Sequence, residues 1–291
     1  MSNYRIATLL PSATELVAEI GLAKSIVCIS HECDTPTHIS HLPRVTSSNI
    51  PDYDDQILID QFVKESVKDG RSLYAVNLNL FKELEVTHIV TQGICDVCAV
   101  SPKLIEANLR GNQCILSSEV EIISLCGTTI NGIFDDVMTL SKTFKREKIG
   151  KKIVTIAENK LKKLAKTNTQ KSTVLMLEWL DPPYIAGHWV PEQIAAAGFD
   201  CAAGGIGNRS TEISWNEIIS IDPDYIGVIS CGGNSVLNQK YADTLYKKEI
   251  LKNTKAVRNH NVFGFDANKF FSRPTLRVID GIDDMQNKFV K

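Results

Sequence analysis

The chain has 291 residues, enough for two modest domains or one large one. Hydrophobic residues make up 43% and charged residues 23%, which is ordinary for a soluble globular protein. The net charge of −2 and the pI near 6.3 give no indication of a nucleic-acid partner or an anionic membrane, and no apolar run approaches the roughly 20 residues of a membrane span.

The N-terminus carries no signal for export. It leads directly into an apolar strand, without the basic region, apolar core and small-residue cleavage site of a signal peptide. We therefore expect a cytoplasmic protein, or a periplasmic one if a signal sequence has been removed. The eight cysteines fit a reducing compartment, and Cys28, Cys114 and Cys126 are predicted core residues because their neighbours are apolar.

The first elements predict a parallel strand–helix–strand unit. Ile6–Leu10 has the composition of a buried strand, and Ser12 with Glu15 has the spacing of a capping box that begins a helix. Gly21 is expected to end that helix, and Ile26–Ser30 is the next strand. A connection of this length implies parallel pairing with a right-handed crossover.

Two loops at strand ends carry residues that could bind a metal. The second strand is followed by the run His31-Glu32-Cys33-Asp34, and the predicted strand His88–Thr91 leads to a CxxC formed by Cys95 and Cys98. No second CxxC completes a four-cysteine zinc site. His31, Cys33, Cys95 and Cys98 would form a metal site if the loops are adjacent; otherwise the cysteines line a pocket or a helix start.

The middle of the chain is predicted to be helical. Residues 56–84 are expected to be mostly helical, with a break near 69–70; Ile115–Ser117 is a predicted strand, and Thr129–Phe144 a predicted helix. Ile149–Leu164 has apolar residues near the helical period and no internal proline, which indicates a long helix. The basic run at residues 145–152 is typical of a solvated helix face.

The second half begins with a strand and an aromatic segment. Thr173–Leu177 reads as buried, and residues 178–192, EWLDPPYIAGHWVPE, hold two tryptophans, one histidine, three carboxylates and three prolines. Pro191 suits the first turn of a helix. At the carboxyl end of a parallel strand, such a rigid aromatic loop predicts a surface for a ligand. The alternative is a local packing core.

Later segments continue the strand and helix pattern. The glycine-rich run 204–208 is not predicted to be a nucleotide fingerprint because no strand is predicted before it. Ser214 and Glu217 have capping-box spacing. Ile226–Ser230 and Val262–Phe265 are predicted strands, and residues 268–274 open the C-terminal helix.

These elements predict an α/β fold of two lobes with mostly parallel sheets, joined by a single long bridging helix. The N-terminal lobe comprises residues 1–128, the connecting and bridging helices residues 129–168, and the C-terminal lobe residues 169–291. The helix at residues 149–164 is the predicted bridge, because the strand–helix pattern on its two sides is similar.

Six motifs along the chain have a familiar sequence: RIATLLPSATELVAEIGL, SHECDTP, QGICDVCAVS, LEWLDPPYIAGHWVPEQIAAAG, ISWNEIISIDPDYIGV and FFSRPTLRVIDGI. Together they resemble the cobalamin and ferric-siderophore substrate-binding proteins of ABC importers, most closely the cobalamin-binding branch. The resemblance implies two α/β lobes joined by one rigid helix, with the ligand in the cleft between the lobes.

The resemblance implies a corrinoid or another large planar ligand, held by apolar and aromatic contacts. Siderophores and haem would also suit an aromatic cleft. Coordination of cobalt by a protein histidine, His31 or His188, is not required by the family. The expected ligand-binding residues are Ser12, His31, Glu32, Cys95, Glu178, Trp179, Tyr184, His188, Trp189 and Arg273. Arg273 has the alternative role of anchoring the C-terminal helix near Asp280 or Asp283.

The resemblance also bears on the partner. The substrate-binding proteins of this family dock on an ABC permease through one surface carboxylate in each lobe. The corresponding positions here are Asn79 and Asn216, with Glu217 adjacent to the second. The docking carboxylates are therefore expected to be absent, although a permease partner is not excluded.

Two functions are compatible with these residues. The first is a receptor without chemistry of its own, and this is the function we favour. The second is a cytoplasmic metal-binding protein or enzyme on the same fold. It would use a cluster of titratable groups in one cleft, although no nucleophile–base–orienter set is identifiable and no catalytic residue is predicted. The cluster comprises His31, Glu32, Asp34, Cys95, Cys98, Glu178, Asp181, His188 and Glu192.

Overall fold

The computed structural model describes residues 4–53, 55–93, 120–165 and 172–289. The chain forms two compact units. The first comprises Met1–Gly127 with Phe134–Val154, and the second comprises Thr128–Ile133 with Thr155–Lys291. Each unit contains an α/β arrangement with a predominantly parallel main sheet, which confirms the predicted fold class.

The main sheet of the first unit has four parallel strands in the order β2-β1-β5-β6. β1 lies inside the sheet, and all three of its residues are buried, as expected for a strand covered on both faces. A separate antiparallel pair joins β3 to β4. The strands are β1 Ile6–Thr8, β2 Ile26–Ile29, β3 Thr46–Ser48, β4 Tyr74–Val76, β5 His88–Gln92 and β6 Glu121–Leu125.

Two of the helices, α4 and α5, cross the boundaries between the two units. Short 3₁₀ turns occur at Ala23–Ser25 and Thr37–Ile39. The helices are α1 Pro11–Val17, prolonged by a wider turn at Ala18–Leu22, α2 Gln56–Lys68, α3 Leu78–Glu83, α4 Ile130–Thr143 and α5 Glu147–Leu164. The long helix predicted at 149–164 is thereby confirmed, and so is the helix predicted at 129–144.

The capping box predicted at Ser12 is wrong. Helix α1 begins at Pro11, and Leu10 at the cap position has an extended backbone and no side-chain cap. Proline supplies a helical φ and has no amide hydrogen to satisfy, so the start is fixed without a polar cap. Gly21 has φ 84°, as expected for the residue that ends a helix.

Two further expectations for the first unit need correction. Cys28 is buried as predicted, but Cys126 is exposed and does not belong to the core. The helical stretch expected at 56–84 is interrupted by β4, although the break near 69–70 is present and Gly70 has φ 68°. Cys114 and the strand predicted at Ile115–Ser117 lie outside the described residues.

The second unit contains a six-stranded sheet in the order β10-β8-β7-β11-β12, with β9 paired to the start of β7. β7, β9, β11 and β12 pair in parallel, whereas β8 and β10 are antiparallel. The strands are β7 Thr173–Leu180, β8 Pro183–Ile185, β9 Asp200–Cys201, β10 Thr211–Glu212, β11 Tyr225–Val228 and β12 Val262–Gly264.

The helices of the second unit pack against this sheet. α8 contacts β12 and β11, and α11 contacts α6 and α10. The capping box predicted at Ser214 and Glu217 is confirmed. The helices are α6 Val190–Ala196, α7 Trp215–Ile221, α8 Ser235–Leu245, α9 Lys255–Arg258, α10 Ala267–Phe270 and α11 Val278–Phe289, with a 3₁₀ turn at Glu249–Leu251.

Three predictions for this unit need refinement. Residues 178–192 do not form a loop throughout, because β7 continues to Leu180 and turns back into β8. A strand, the two-residue β9, does precede the glycine run 204–208. The C-terminal helix begins at Val278, and the residues before it form the separate short helix α10.

Aromatic packing holds the C-terminal helix in the second unit. Phe289 is 1% exposed, and its ring centroid lies 5.0–5.7 Å from the rings of four neighbouring residues. Burying one such side chain contributes about 1.5–3 kcal/mol. The four neighbours are Phe199, Tyr225, Phe263 and Phe265.

Among the helices that the structure describes, none is long and apolar enough to cross a membrane.

Candidate ligand-binding site

In the first unit, the predicted ligand-binding residues follow the ends of two parallel strands. β1 leads through Leu9–Leu10 and Pro11 to Ser12, and β2 leads through Ser30 to His31. Because the strands are parallel neighbours, these positions lie toward the same edge of the sheet. Cys95 and Cys98 lie outside the described residues, so the structure places only part of the predicted set.

The ring of His31 is positioned by Thr46 at the start of β3. The hydroxyl oxygen of Thr46 accepts a hydrogen bond from the His31 backbone amide at 3.0 Å and lies 2.7 Å from Nδ1. Tyr74 on β4 lies 5.8 Å away between ring centroids. Since Thr46 engages Nδ1, Nε2 is the ring nitrogen left for a ligand or for solvent.

Cys33 points into the interior rather than toward the edge. It is 2% exposed, and its sulfur lies 3.0 Å from the hydroxyl of Thr14 and 3.2 Å from the hydroxyl of Ser30. Burial raises the pKa of the thiol, which disfavours the thiolate that a metal needs. Arg44 donates to the carbonyls of Ser30 and Cys33 and fixes this turn.

The metal site predicted at His31, Cys33, Cys95 and Cys98 stays a prediction. Within the described ranges, no three His, Cys, Asp or Glu side chains are grouped closely enough to hold an ion. Glu32 is exposed, and Ser12 is buried with its hydroxyl unpartnered among the residues that are described. Of the two members that the structure describes, His31 and Cys33, the buried Cys33 has the environment that suits a metal less.

In the second unit, the aromatic residues lie on a β-hairpin at the carboxyl end of β7. Trp179 pairs across the hairpin with Tyr184, and both side chains are half-buried. The Tyr184 hydroxyl donates to Glu212 on β10 at 3.3 Å. Cross-strand pairing therefore holds two partly exposed rings beside each other at the sheet edge.

Trp189 has a different environment from Trp179. It is 4% exposed, and its indole nitrogen is buried without a partner in the described part of the chain. Its ring centroid lies 5.7 Å from that of His188, with an angle of 30° between the planes. Trp189 is thus mainly a packing residue, as the alternative interpretation of this segment supposed.

His188 is held in an unusual backbone conformation. Its φ is 54°, its amide donates to the carbonyl of Asn208 at 2.7 Å, and its carbonyl accepts from the amide of Gly207 at 2.9 Å. Burial, assisted by the charge of Arg209, lowers the pKa of the ring. The ring is therefore neutral near pH 7, and its buried Nδ1 has no partner among the described residues.

The glycine-rich run 204–208 supports the backbone around His188, a role that sequence reasoning missed. A Cβ on Gly187 would collide with the carbonyl oxygen of Asn208. Gly204 has φ 98°, and a Cβ there would lie 2.6 Å from the carbonyl oxygen of Ala186. The only sign of this role in the sequence was the close spacing of the glycines. They allow segments of backbone to approach each other closely, and they do not form a phosphate-binding loop.

Two of the carboxylates in the predicted cluster have structural partners. Glu192 accepts a hydrogen bond from the amide of Ile130 at 2.7 Å, at the start of α4. Asp181 pairs with Lys248 at 3.1 Å, and that ammonium also lies 4.7 Å from the ring centroid of Trp215. These contacts give both carboxylates a structural role, and neither needs a catalytic role to explain its position.

Near the C-terminal helix, Asp280 forms an ion pair with Lys160 of α5. Arg273 is half-buried, in the turn between α10 and α11. Of the two anchors considered for Arg273, Asp280 thus already has a cationic partner, and Asp283 is exposed.

The positions expected for permease docking are exposed. Asn79 lies on α3 and Asn216 on α7. The adjacent Glu217 accepts hydrogen bonds from the amide and hydroxyl of Ser214 at 2.8 and 2.7 Å. These bonds lower the pKa of Glu217, and they commit its carboxylate to the capping box.

The chain has two predominantly parallel main sheets, with polar and aromatic side chains near the carboxyl ends of their strands. This arrangement is typical of proteins that bind small molecules. A sequence model described as periplasmic binding protein matches residues 115–268, more than half of the chain. The chain belongs to the periplasmic binding protein family, whose members bind small molecules and work with ABC permeases. No curated protein matches the sequence.

Solved structures share the fold over the whole chain. A possible iron-binding (periplasmic solute-binding) protein from Staphylococcus epidermidis has a TM-score of 0.73 at 17% identity, covering 100% of both chains. The periplasmic heme-binding protein HutB of Vibrio cholerae has a TM-score of 0.71 at 18% identity and 98% coverage of both. The periplasmic vitamin B12 binding protein BtuF of the same organism has 0.67 at 18% identity, covering 98% of this chain and 96% of its own.

Proposed function

We propose that this protein is a receptor for a large planar or metal-chelate ligand, and that the ligand is a corrinoid such as cobalamin. The observation that carries the proposal is the pair of half-buried rings, Trp179 and Tyr184, fixed on the hairpin at the carboxyl end of β7. Flat aromatic side chains bury much apolar area against a planar ligand at little entropic cost.

The fold supports the same class of ligand. Structures that share it include binding proteins for vitamin B12 and for heme, and one from a ferric hydroxamate transport system. All three ligands are metal chelates, and two are planar macrocycles. In the second unit, the neutral ring of His188 offers a polar group on the same aromatic segment as Trp179 and Tyr184.

The test is calorimetric titration of the purified protein with cobalamin, haem and a ferric hydroxamate in separate experiments. We expect saturable binding of cobalamin at micromolar concentration or tighter, and weaker binding of the other two. Tight binding of haem alone would mean that the ligand is a porphyrin and not a corrinoid. Absence of saturable binding by all three would overturn the receptor proposal.

The position of the ligand is tested with two matched variants. Trp179→Leu should weaken cobalamin binding by about tenfold or more, equivalent to about 1.4 kcal/mol or more. Tyr241→Leu alters another half-buried aromatic residue of the same unit, on α8, and should leave binding within about twofold. Equal effects of the two variants would indicate a general loss of stability rather than a ligand contact.

We further propose that docking on a permease is weak. The two expected positions carry amides, Asn79 and Asn216, and the neighbouring Glu217 is engaged by Ser214. The double variant Asn79→Glu, Asn216→Glu should strengthen association with a permease of the family, measured in detergent. If the unaltered protein already binds as tightly as the double variant, docking does not use these positions.

For location, we propose the cytoplasm, a reducing compartment that suits the eight cysteines of the chain. Fractionation of cells that express the natural gene tests this directly. Recovery with periplasmic markers would favour a role in import, and recovery with cytoplasmic markers a role after uptake.

A further inference from the structure

A dense group of cations lies where α4 ends and α5 begins. We call it the basic corner, and it falls entirely in the first unit. All six of its side chains belong to exposed residues, and Glu147 is the only acidic residue in the stretch 142–152. The corner therefore carries a net charge of +5 in a chain whose net charge is −2. Its members are Lys142, Lys145, Arg146, Lys148, Lys151 and Lys152.

The backbone beneath these side chains is closely packed. Phe144 is 1% exposed, and the amide of Arg146 donates to the carbonyl of Ser141 at 2.6 Å. The two helices approach so closely that a Cβ on Gly150 would collide with the Ser141 side chain. The basic corner is thus presented as a fixed surface and not as a flexible tail.

The charges of Lys148, Lys151 and Lys152 do not stabilise the helix that carries them, whereas Lys142 lies in the last turn of α4, where a cation is favourable. None of the six side chains has an ion pair or a hydrogen bond to another side chain within the described ranges. Three of them, Lys148, Lys151 and Lys152, lie in the first turns of α5, where the helix dipole is already positive. Like charges within one Debye length, about 10 Å at 0.1 M salt, also repel each other. A partner of opposite charge would explain this arrangement.

We propose that the basic corner binds anionic phospholipid headgroups at a membrane surface. A surface of this kind attracts clustered lysines by charge alone and needs no particular side-chain geometry. Five of the six cations are lysines, which act as point charges rather than as planar bidentate donors. The inference is independent of the ligand proposed above.

Nucleic acid fits the basic corner less well than a lipid surface. Proteins that bind single strands combine basic residues with exposed aromatic rings on which bases stack. The aromatic residue of this segment, Phe144, is buried. The rest of the chain is net negative, so a long polyanion would be repelled beyond the corner, whereas a membrane need touch only one face.

The test is flotation of the full-length protein with vesicles of phosphatidylcholine, with and without about 30% phosphatidylserine, a composition that sets a negative surface potential. We expect binding only to the anionic vesicles, and at least a tenfold loss of that binding between low salt and about 0.5 M salt. Equal binding to both vesicles, or binding of an RNA oligonucleotide without binding of anionic vesicles, would overturn the proposal. Displacement by a few millimolar inorganic phosphate, at constant ionic strength, would do the same, because it would indicate a site for free phosphate.

Three triple variants locate the surface. Lys148→Glu, Lys151→Glu, Lys152→Glu should reduce vesicle binding at least tenfold, and the corresponding Gln variant should do so less strongly. The control Lys163→Glu, Lys240→Glu, Lys247→Glu makes the same change in net charge at exposed residues outside the corner. It should change binding by less than threefold. Similar losses in the control and the corner variant would contradict the proposal.

A thermal measurement separates this role from a structural one. If the lysines serve a membrane partner, the Glu variant should unfold at the same temperature as the wild type or a higher one, because acidic residues favour the start of a helix. A lower unfolding temperature in both the Glu and the Gln variants would show that the lysines stabilise the fold, and it would overturn the argument for a partner.

Discussion

At the residue scale, the two tryptophans of the aromatic segment have different roles although they are only ten positions apart. Trp179 is half-buried on the hairpin, whereas Trp189 is 4% exposed at the start of α6. Their sequence context gave no means of separating them, since both stand next to charged or histidine residues. Burial separates them, and it predicts different effects of mutation.

We predict that Trp189→Ala destabilises the protein by about 3–5 kcal/mol, the usual cost of truncating a buried aromatic side chain. Trp179→Ala should cost clearly less, because part of its ring remains in contact with solvent in the folded state. Urea denaturation monitored by circular dichroism measures both. Comparable losses for the two variants would mean that Trp179 is also a packing residue and would weaken the proposed site.

His88 makes the stability of the first unit depend on pH. Its ring lies 5.2 Å from that of Tyr4 and 5.1 Å from that of Phe144, and burial lowers its pKa although Glu121 opposes the shift. Because the unfolded chain then binds the proton more tightly, stability decreases as pH falls below about 6.5, the pKa of an unperturbed histidine, until the folded pKa is reached.

The variant His88→Phe keeps the aromatic contacts and removes the titration. We expect it to lose less stability than the wild type between pH 7.5 and pH 5, by urea unfolding at each pH. Some dependence remains, since the pKa of His188 is lowered in the same direction. The exposed His41, changed to Gln, is the control. An unchanged slope in His88→Phe would contradict the assignment.

At the element scale, the strand ends of the second unit are joined by one buried amide. Asn238 is 0% exposed, and its Nδ2 donates to the carbonyl of Phe265 at 2.8 Å and to that of Gly233 at 3.3 Å. These carbonyls follow β12 and β11, respectively. A single side chain on α8 therefore positions the carboxyl ends of two parallel strands.

We predict that Asn238→Ala destabilises the second unit by about 1–3 kcal/mol, because buried carbonyls lose their donor. Gln239→Ala removes the neighbouring side chain, which donates no hydrogen bond into the interior and is only half-buried. It should cost less, although it loses the bond that the amide of Gly264 donates to Gln239 at 2.9 Å. Equal costs by thermal unfolding would show that position 238 has no special role.

The long helix and the buried strands, such as β7, were predicted from the sequence because their signal is local, whereas the two-residue strands β9 and β10 were not. The helix at 149–164 and the capping box at Ser214 follow from periodicity and cap chemistry. β9 and β10 have two residues each, too few to show a period, and β10 is exposed. Ser12 failed as a cap because Pro11 already fixes the helix start.

For the candidate site, too, the sequence indicated the residue types but not the contacts between elements. The chemistry of residues 178–192 was visible in the sequence, but the hairpin that pairs Trp179 with Tyr184 requires a register set by β7. Likewise, the contact of His31 with Thr46 joins residues fifteen positions apart on different elements. Sequence spacing carries no information about which side chain meets which across such distances.

At the scale of the whole molecule, a ligand that binds the folded chain shifts the unfolding equilibrium by mass action. A ligand that binds only the folded state stabilises it by RT ln(1 + [L]/Kd), which is about 2.7 kcal/mol at one hundred times Kd. For a chain of this size, each kcal/mol raises the unfolding temperature by about 2–4 °C.

We therefore predict that saturating cobalamin raises the unfolding temperature by about 5–10 °C, since roughly 2.7 kcal/mol is gained at one hundred times Kd. Trp179→Leu, with Kd about tenfold higher, should lose roughly half of this shift at the same ligand concentration. The basic-corner variant should retain the full shift, because its charges lie in a different part of the chain. Loss of the shift in that variant would link the membrane surface to ligand binding and contradict their independence.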